Sequence, residues 1–344
     1  MILRYPTTNS VISPQDPFAD AVDWLGFLMA EDYLVELLET HHGLPTAMSV
    51  RRAKAVIPHV RAAIEYVHQS FDGPSAISFL PAYYAILNLM KVYVLLGPRH
   101  ADLSRHRWHG VTYNVGQNRR SILTEEITIK AGGVFPLFYE TITGQPFGAR
   151  SRSLQIQEVM PFVSGVTHEY KLATGLASPL AHVELSVAED IHGVARSVAM
   201  TTDDEGEVVG AATRAQLRLL RGFRRDPNTP GRFVGARIVN PNEPEAELRA
   251  QLRLHLIYRV APDLTVTPIS AGRFELPEEV PVALMFFYMS SLVRYRPEFF
   301  ARVRDSRYWP FLTSVRVHAF YSFVLAFWSF MQQENLFVFA QRRH

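Results

Sequence analysis

The stretch FLPAYYAILNLMKVYVLL, residues 79–96, decides how this chain is read. Gly97-Pro98 follows it directly, so the pattern predicts a helix over Phe79–Leu96 that stops there. At about 100° per residue, Tyr84, Asn88, Lys91 and Leu95 fall within about 60° of one another. The other faces carry Ile86, Leu87, Leu89, Met90, Val92, Tyr93, Val94 and Leu96. A helix apolar nearly all round is a buried helix. Its polar stripe, Tyr84, Asn88 and Lys91, must then find partners or line a cavity. Lysine is the costly member, because an unpaired buried ammonium is strongly unfavourable. Two readings stay open. In one, Tyr84 and Asn88 bond neighbouring loops and Lys91 reaches solvent along its stem. In the other, the three residues line a ligand pocket.

The loop that follows, residues 99–120, carries Arg99, His100, Arg105, His106, Arg107, Trp108, His109 and Gly110, then Asn114, Asn118, Arg119 and Arg120. Basic groups interleaved with an aromatic suit nucleic-acid phosphates and a stacked base. The same composition also suits a solvated basic loop.

Outward from this centre, helices dominate on the N-terminal side. Residues 1–17 are polar and read as a loose arm. A helix is expected from Pro17 to about Thr40, closed by His41-His42-Gly43. A second runs from about Val50 to Phe71, kinked or divided at Pro58. Residues 127–137 hold a short alternating run and Gly132-Gly133; 135–142 and 154–162 read as short helices. Alternation at 181–187, 194–201, 232–239, 252–260 and 264–269, with Val208-Val209, predicts strands. From Val280 onward the chain returns to helix. Segregated elements of this kind make the fold class α+β. The expected units are the arm, a helical domain over 18–175, a strand-rich insert over 176–278 and a C-terminal helical region over 279–344 packing on the body.

Composition narrows the chemistry. The chain has 344 residues, 48% hydrophobic, and a formal charge of +2. Only four lysines are present, Lys54, Lys91, Lys130 and Lys171, so the basic charge is nearly all arginine. Arginine favours planar, bidentate contacts to phosphate or carboxylate; a GC-rich genome gives the same bias. There is no cysteine, which excludes disulfides, thiolate nucleophiles and Cys-ligated metal sites. The N-terminus lacks the regions of a signal peptide. The most apolar stretches, 280–293 and 320–331, fall short of the roughly 20 residues of a membrane helix. A soluble, cytoplasmic protein is expected.

Several motifs then align with a family. LPAYYAILNLMKVYVLLG followed by His109-Gly110 resembles the YaaC-like bacterial proteins. Gly133-Val134-Phe135-Pro136-Leu137 is similar to a GVF-type segment of that family. Ser290-Ser291-Leu292-Val293-Arg294-Tyr295-Arg296-Pro297-Glu298 is similar to its C-terminal LSMLxRYxPE-type motif. The likeness spans about residues 20–335, and it implies no settled activity. The first motif also resembles the HEPN superfamily, which implies an HEPN-like helical body that often dimerises. Many HEPN proteins are metal-independent ribonucleases with an Arg-x4–6-His motif; others are non-catalytic binding modules. A catalytic site would use histidine for proton transfer and arginine for developing phosphate charge. Arg99…His106 fits that spacing and sits where the resemblance needs it. Arg61…His68 and Arg249…His255 also fit but do not, and the pattern is no rarer than chance.

No Walker A loop, GxGxxG, HExxH or GxSxG is present. His100, His106 and His109 with Asp102 lack the spacing of one helix face, and no metal or cofactor is expected. Asp203-Asp204-Glu205 reads as a hairpin tip. Arg214, Arg218, Arg221, Arg224 and Arg225 form a basic run at helical spacing, read as a solvated face or a partner surface. Arg294-Tyr295-Arg296 with Glu298 reads as an ion-pair and helix-end cluster, with a pocket role open. The leading expectation is a non-catalytic binding or regulatory module engaging RNA or a protein partner through the loop, as a homodimer. Tyr84, Asn88, Lys91, Arg107, Trp108, Asn118 and Arg119 would bind. The alternatives are a ribonuclease for defence or toxin activity, using Arg99, Arg105, His106 and His109, and a sensor holding an anionic small ligand at Lys91.

Overall fold

The computed structural model describes residues 9–12, 17–71, 77–97, 103, 108–114, 121–163, 165–176, 178, 181–189, 195–201, 224–225, 232–237, 255–257, 264–267, 276–333 and 335–338. In chain order, β1 (Asn9–Ile12) precedes α1 (Pro17–Phe27), α2 (Glu31–His42), α3 (Thr46–Phe71) and α4 (Phe79–Leu96). Then come β2 (Val111–Asn114), β3 (Glu126–Ile129), α5 (Val134–Thr143), β4 (Arg152–Gln155), α6 (Ile156–Val159) and α7 (Thr167–Thr174). The next strands are β5 (Ala181–Glu189), β6 (Ala195–Thr201), β7 (Arg224–Arg225), β8 (Arg232–Arg237), β9 (His255–Ile257) and β10 (Leu264–Thr267). The chain closes with α8 (Glu279–Tyr295), α9 (Pro297–Arg304), α10 (Tyr308–Ser314), α11 (Phe320–Gln332) and β11 (Asn335–Val338).

α4 is the centre of the helical body. It packs against α3, α8, α5 and α11, and most of its residues are buried, as a helix apolar on nearly all faces must be. Tyr93 shows what holds it there. Its ring meets Phe138 of α5 at 5.2 Å and Phe327 and Phe330 of α11 at 5.6 and 4.4 Å. The N- and C-terminal helices close on each other through Trp24 and Trp328, whose rings cross edge-on at 6.4 Å. Trp328 also donates from its indole nitrogen to the Ala21 carbonyl at 3.3 Å. His42, at the end of α2, lies 2.9 Å from the Met331 carbonyl through Nε2. Burial pushes its pKa down to about 4, so the neutral ring donates there.

Two antiparallel sheets accompany the helices. β2, β3 and β4 form one in the order β2-β3-β4, and β5 to β10 form another in the order β7-β8-β6-β5-β10-β9. Helices beside antiparallel sheets, with β5 to β10 grouped in one stretch of the chain, make this an α+β protein.

Several expectations are corrected. The helix expected from Pro17 to Thr40 is two helices. Leu28, Met29 and Ala30 each donate to the carbonyl three residues back, a tight turn that resets the direction. Leu25 and Leu34 stay fully buried on either side, so apolar spacing continues where the helix does not. α3 begins at Thr46 and is not divided at Pro58; it is one continuous helix. Pro58 is exposed, so water can take the carbonyl bond that its ring removes. Residues 154–162 are not one helix but the end of β4, α6 and a short 3-10 turn, Met160–Phe162. Glu126↔Gln155 and Ile127↔Leu154 pair across the β3–β4 ladder, which overrides the helical spacing. Within the supposed arm, Asn9–Ile12 pairs in parallel with β11. Within the supposed basic loop, Val111–Asn114 is a strand.

The apolar stretch at 320–331 is also longer than expected. A π-helical turn, Val315–Ala319, joins it to α10 as one run, Tyr308–Gln332. That run and α4 are long and apolar enough to cross a membrane, but 67% and 72% of their apolar windows lie buried inside the protein, the environment of a core helix. Arg224 and Arg225 form a strand rather than a continuation of a helical basic run. Arg214, Arg218, Arg221, Val208-Val209 and the Asp203-Asp204-Glu205 cluster lie outside the described residues.

Candidate functional site

The polar stripe of α4 is met by three other parts of the chain. α3 brings His59 and Tyr66, the segment ahead of β2 brings His109, and the end of α8 brings Arg294. Tyr84 stacks on Tyr66 at 5.3 Å and meets the His109 ring edge-on at 6.2 Å. Asn88 donates from Nδ2 to the Tyr84 carbonyl at 2.8 Å. That leaves its Oδ1 as acceptor for His59, whose Nδ1 lies 3.0 Å away. This network assigns the His59 ring proton to Nδ1.

Tyr83, the other member of the tyrosine pair, fixes His109. Its hydroxyl lies 2.9 Å from Nδ1 of His109. The Tyr83 side chain is buried, and burial holds the phenol protonated well above its ordinary range, with Arg294 opposing. A buried hydroxyl proton needs an acceptor, and among the described residues His109 Nδ1 is the one it meets. The neutral imidazole then carries its own proton on Nε2, as a donor directed away from Tyr83.

The electrostatics of the cluster are one-sided. Lys91 is half-buried, and burial lowers its pKa. The His109 pKa is lowered by burial, then by Arg294 and by Lys91. The His59 pKa is lowered by burial, eased by its bond to Asn88, and lowered again by Lys91. Two cations therefore act on one imidazole, and one of them also acts on a second. Arg294 donates from Nε to the Ser290 carbonyl at 3.3 Å and lies 5.1 Å over the Tyr295 ring. Among the described residues no ion pair neutralises Lys91 or Arg294.

Backbone contacts set where His109 stands. Val134 N–H donates to the Trp108 carbonyl at 3.0 Å and Phe135 N–H to the His109 carbonyl at 2.9 Å. The first amides of α5, which have no partner within the helix, are thus satisfied by the His109-Gly110 segment. Lys130 N–H adds a bond to the Gly110 carbonyl at 2.8 Å. The His-Gly and Gly-Val-Phe motifs, about twenty residues apart in sequence, are one contact in space.

Of the residues expected to form a site, Tyr84, Asn88, Lys91 and His109 come together. Trp108 is 54% exposed beside them in the chain. Arg99, Arg105, His106, Arg107, Asn118 and Arg119 lie outside the described residues. Tyr83, His59 and Tyr66 were not expected. The doubled tyrosine was a signal for the first; His59 and Tyr66 lie on a helix whose pattern says nothing of α4. Arg294 and Arg296 divide their roles. Arg296 pairs with Glu125 at 2.8 Å, not with Glu298, which is exposed, while the charge of Arg294 lowers the His109 pKa.

No curated protein and no solved structure matches this chain. A family model does, over residues 27–331, and that span contains α4, the His-Gly and Gly-Val-Phe contact and the Arg-Tyr-Arg-Pro-Glu segment described above. This protein belongs to the family described as YaaC-like Protein.

Proposed function

We propose that this protein is a non-catalytic binding module whose α4 site receives an anionic group. The observation that carries the reading is that α4 holds His109 through Tyr83 and Tyr84, where Arg294 and Lys91 lower its pKa and no ion pair neutralises either cation among the described residues. A half-buried ammonium without a carboxylate is unfavourable unless an anion or water completes it. His109 presents an Nε2–H donor, and Lys91 and Arg294 supply charge. Charge-assisted donors of this kind suit a phosphate or carboxylate oxygen. The sensor reading is favoured over partner binding through the basic loop because the donors lie on packed elements. The HEPN likeness belongs to the same proposal; the Tyr83–His109 bond beneath the tyrosine pair supports it.

The histidines give the reading a pH signature. In the free protein, burial and the neighbouring cations push the His109 and His59 pKa values down. A bound anion opposes that push and raises them. Binding therefore takes up protons, and affinity rises as pH falls. Calorimetric titration with sulfate, which carries no proton over this range, checks it from above to below the ordinary histidine pKa of about 6.5. Tighter binding at the acid end is expected. No binding, or binding that does not change with pH, contradicts the reading. Cleavage of RNA in EDTA that is lost in His109→Ala would replace it with the ribonuclease.

A further inference from the structure

Among the described residues, two exposed aromatic side chains stand next in the chain to members of the α4 site. Trp108, 54% exposed, precedes His109; Tyr295, 60% exposed, follows Arg294. Aromatic faces of this size offer a stacking surface to a planar ligand. Trp108 is also braced. A Cβ built on Gly132 would lie 3.4 Å from its Cζ2, and one on Gly133 2.7 Å from its Cδ1. The indole therefore rests against a pair of glycines, while its carbonyl is held by Val134 N–H. Tyr295 has the Arg294 guanidinium over its ring at 5.1 Å. A braced, half-exposed indole that is next in the chain to the His109 donor suits a ligand that carries a base as well as a phosphate.

We propose that the anionic group received at this site is the phosphate of a nucleotide, whose base stacks on Trp108. The proposal rests on the anion reading above and adds the aromatic half of the ligand. Free nucleotides and nucleotides within an RNA strand share this chemistry, and the test separates them.

The test is equilibrium titration of the full chain with sulfate, ribose 5-phosphate, the nucleoside 5′-monophosphates and a short single-stranded RNA. Base–aromatic stacking is worth enough to tighten binding roughly ten- to a hundredfold. At least one nucleoside monophosphate is expected to exceed ribose 5-phosphate by that factor. Trp108→Ala should bring it down to the ribose 5-phosphate level, and Trp108→Phe should restore part of the gain. Sulfate binding unchanged in both variants shows that the site is still formed. If RNA binds no tighter per site than the monophosphate, the free nucleotide is the ligand. If it binds more tightly with a steep salt dependence, the strand is. Equal affinity for ribose 5-phosphate and every nucleotide, or a nucleotide affinity indifferent to Trp108→Ala, overturns the proposal and leaves the anion reading standing. Failure of sulfate and of every phosphate to bind overturns both.

Discussion

Arg296→Met is expected to destabilise the protein by about 3–5 kcal/mol, seen as a lowered midpoint in urea. Arg296 lies at the end of α8 and reaches Glu125, just ahead of β3, at 2.8 Å. The side chains are 15% and 0% exposed, so neither charge is well solvated without the other. Glu125 also accepts from the Tyr113 hydroxyl of β2, and Arg296 lies 4.5 Å over the Phe299 ring. Removing the arginine strands a carboxylate in the interior, next to the buried Tyr288 hydroxyl, which has no partner among the described residues. The cost is that of an uncompensated charge, not of a lost contact. Arg296→Met with Glu125→Gln should therefore recover most of the loss. A single variant within about 1 kcal/mol of wild type, the range of an exposed pair, would show that this link carries little.

The second large effect is expected at Gly133. Its φ of +111° with ψ near 180° is a conformation essentially restricted to glycine. A Cβ there would lie 2.5 Å from Gly110 Cα and 2.6 Å from Gly110 N. Both obstructing atoms are backbone, so no rotamer change relieves the overlap. Gly133→Ala should cost about 2–6 kcal/mol, the sum of backbone strain and overpacking. It should also weaken anion binding, because the segment that must shift carries Trp108 and His109. Gly144→Ala serves as control. Gly144 has φ +67° but nothing within 4 Å of an added Cβ, so strain alone applies. Equal losses at the two positions would mean that the close approach of the two motifs is unimportant.

What the sequence reveals follows from how local the determining physics is. α4 is legible because burial on all faces with one polar stripe is written in consecutive residues. The αL glycine Gly43 likewise marks the end of α2 in place. Strand β2 is hidden because four residues of alternation sit inside a basic stretch, and only the β3 ladder makes them a strand. The break at 28–30 is hidden because the apolar spacing continues across it. The site is half legible for the same reason. Lys91 and His109 could be found from a costly lysine and a His-Gly pair. His59 could not, because its bond to Asn88 depends on how α3 crosses α4. Arg296 was misread because its carboxylate partner lies 171 residues away, not two.

The central claim, that Lys91 is held at the site for an anion and not for the fold, is tested most directly by Lys91→Met. Unfolding midpoints are compared with and without sulfate for both proteins. Sulfate at a hundred times its Kd should stabilise the wild type by about 2.7 kcal/mol beyond the general salt effect, which Lys91→Met reports by itself. In the absence of sulfate the variant should be as stable as wild type or more so, because a half-buried charge has been removed. A variant that is less stable, and gains as much from sulfate as the wild type does, would contradict the account and make Lys91 a structural residue.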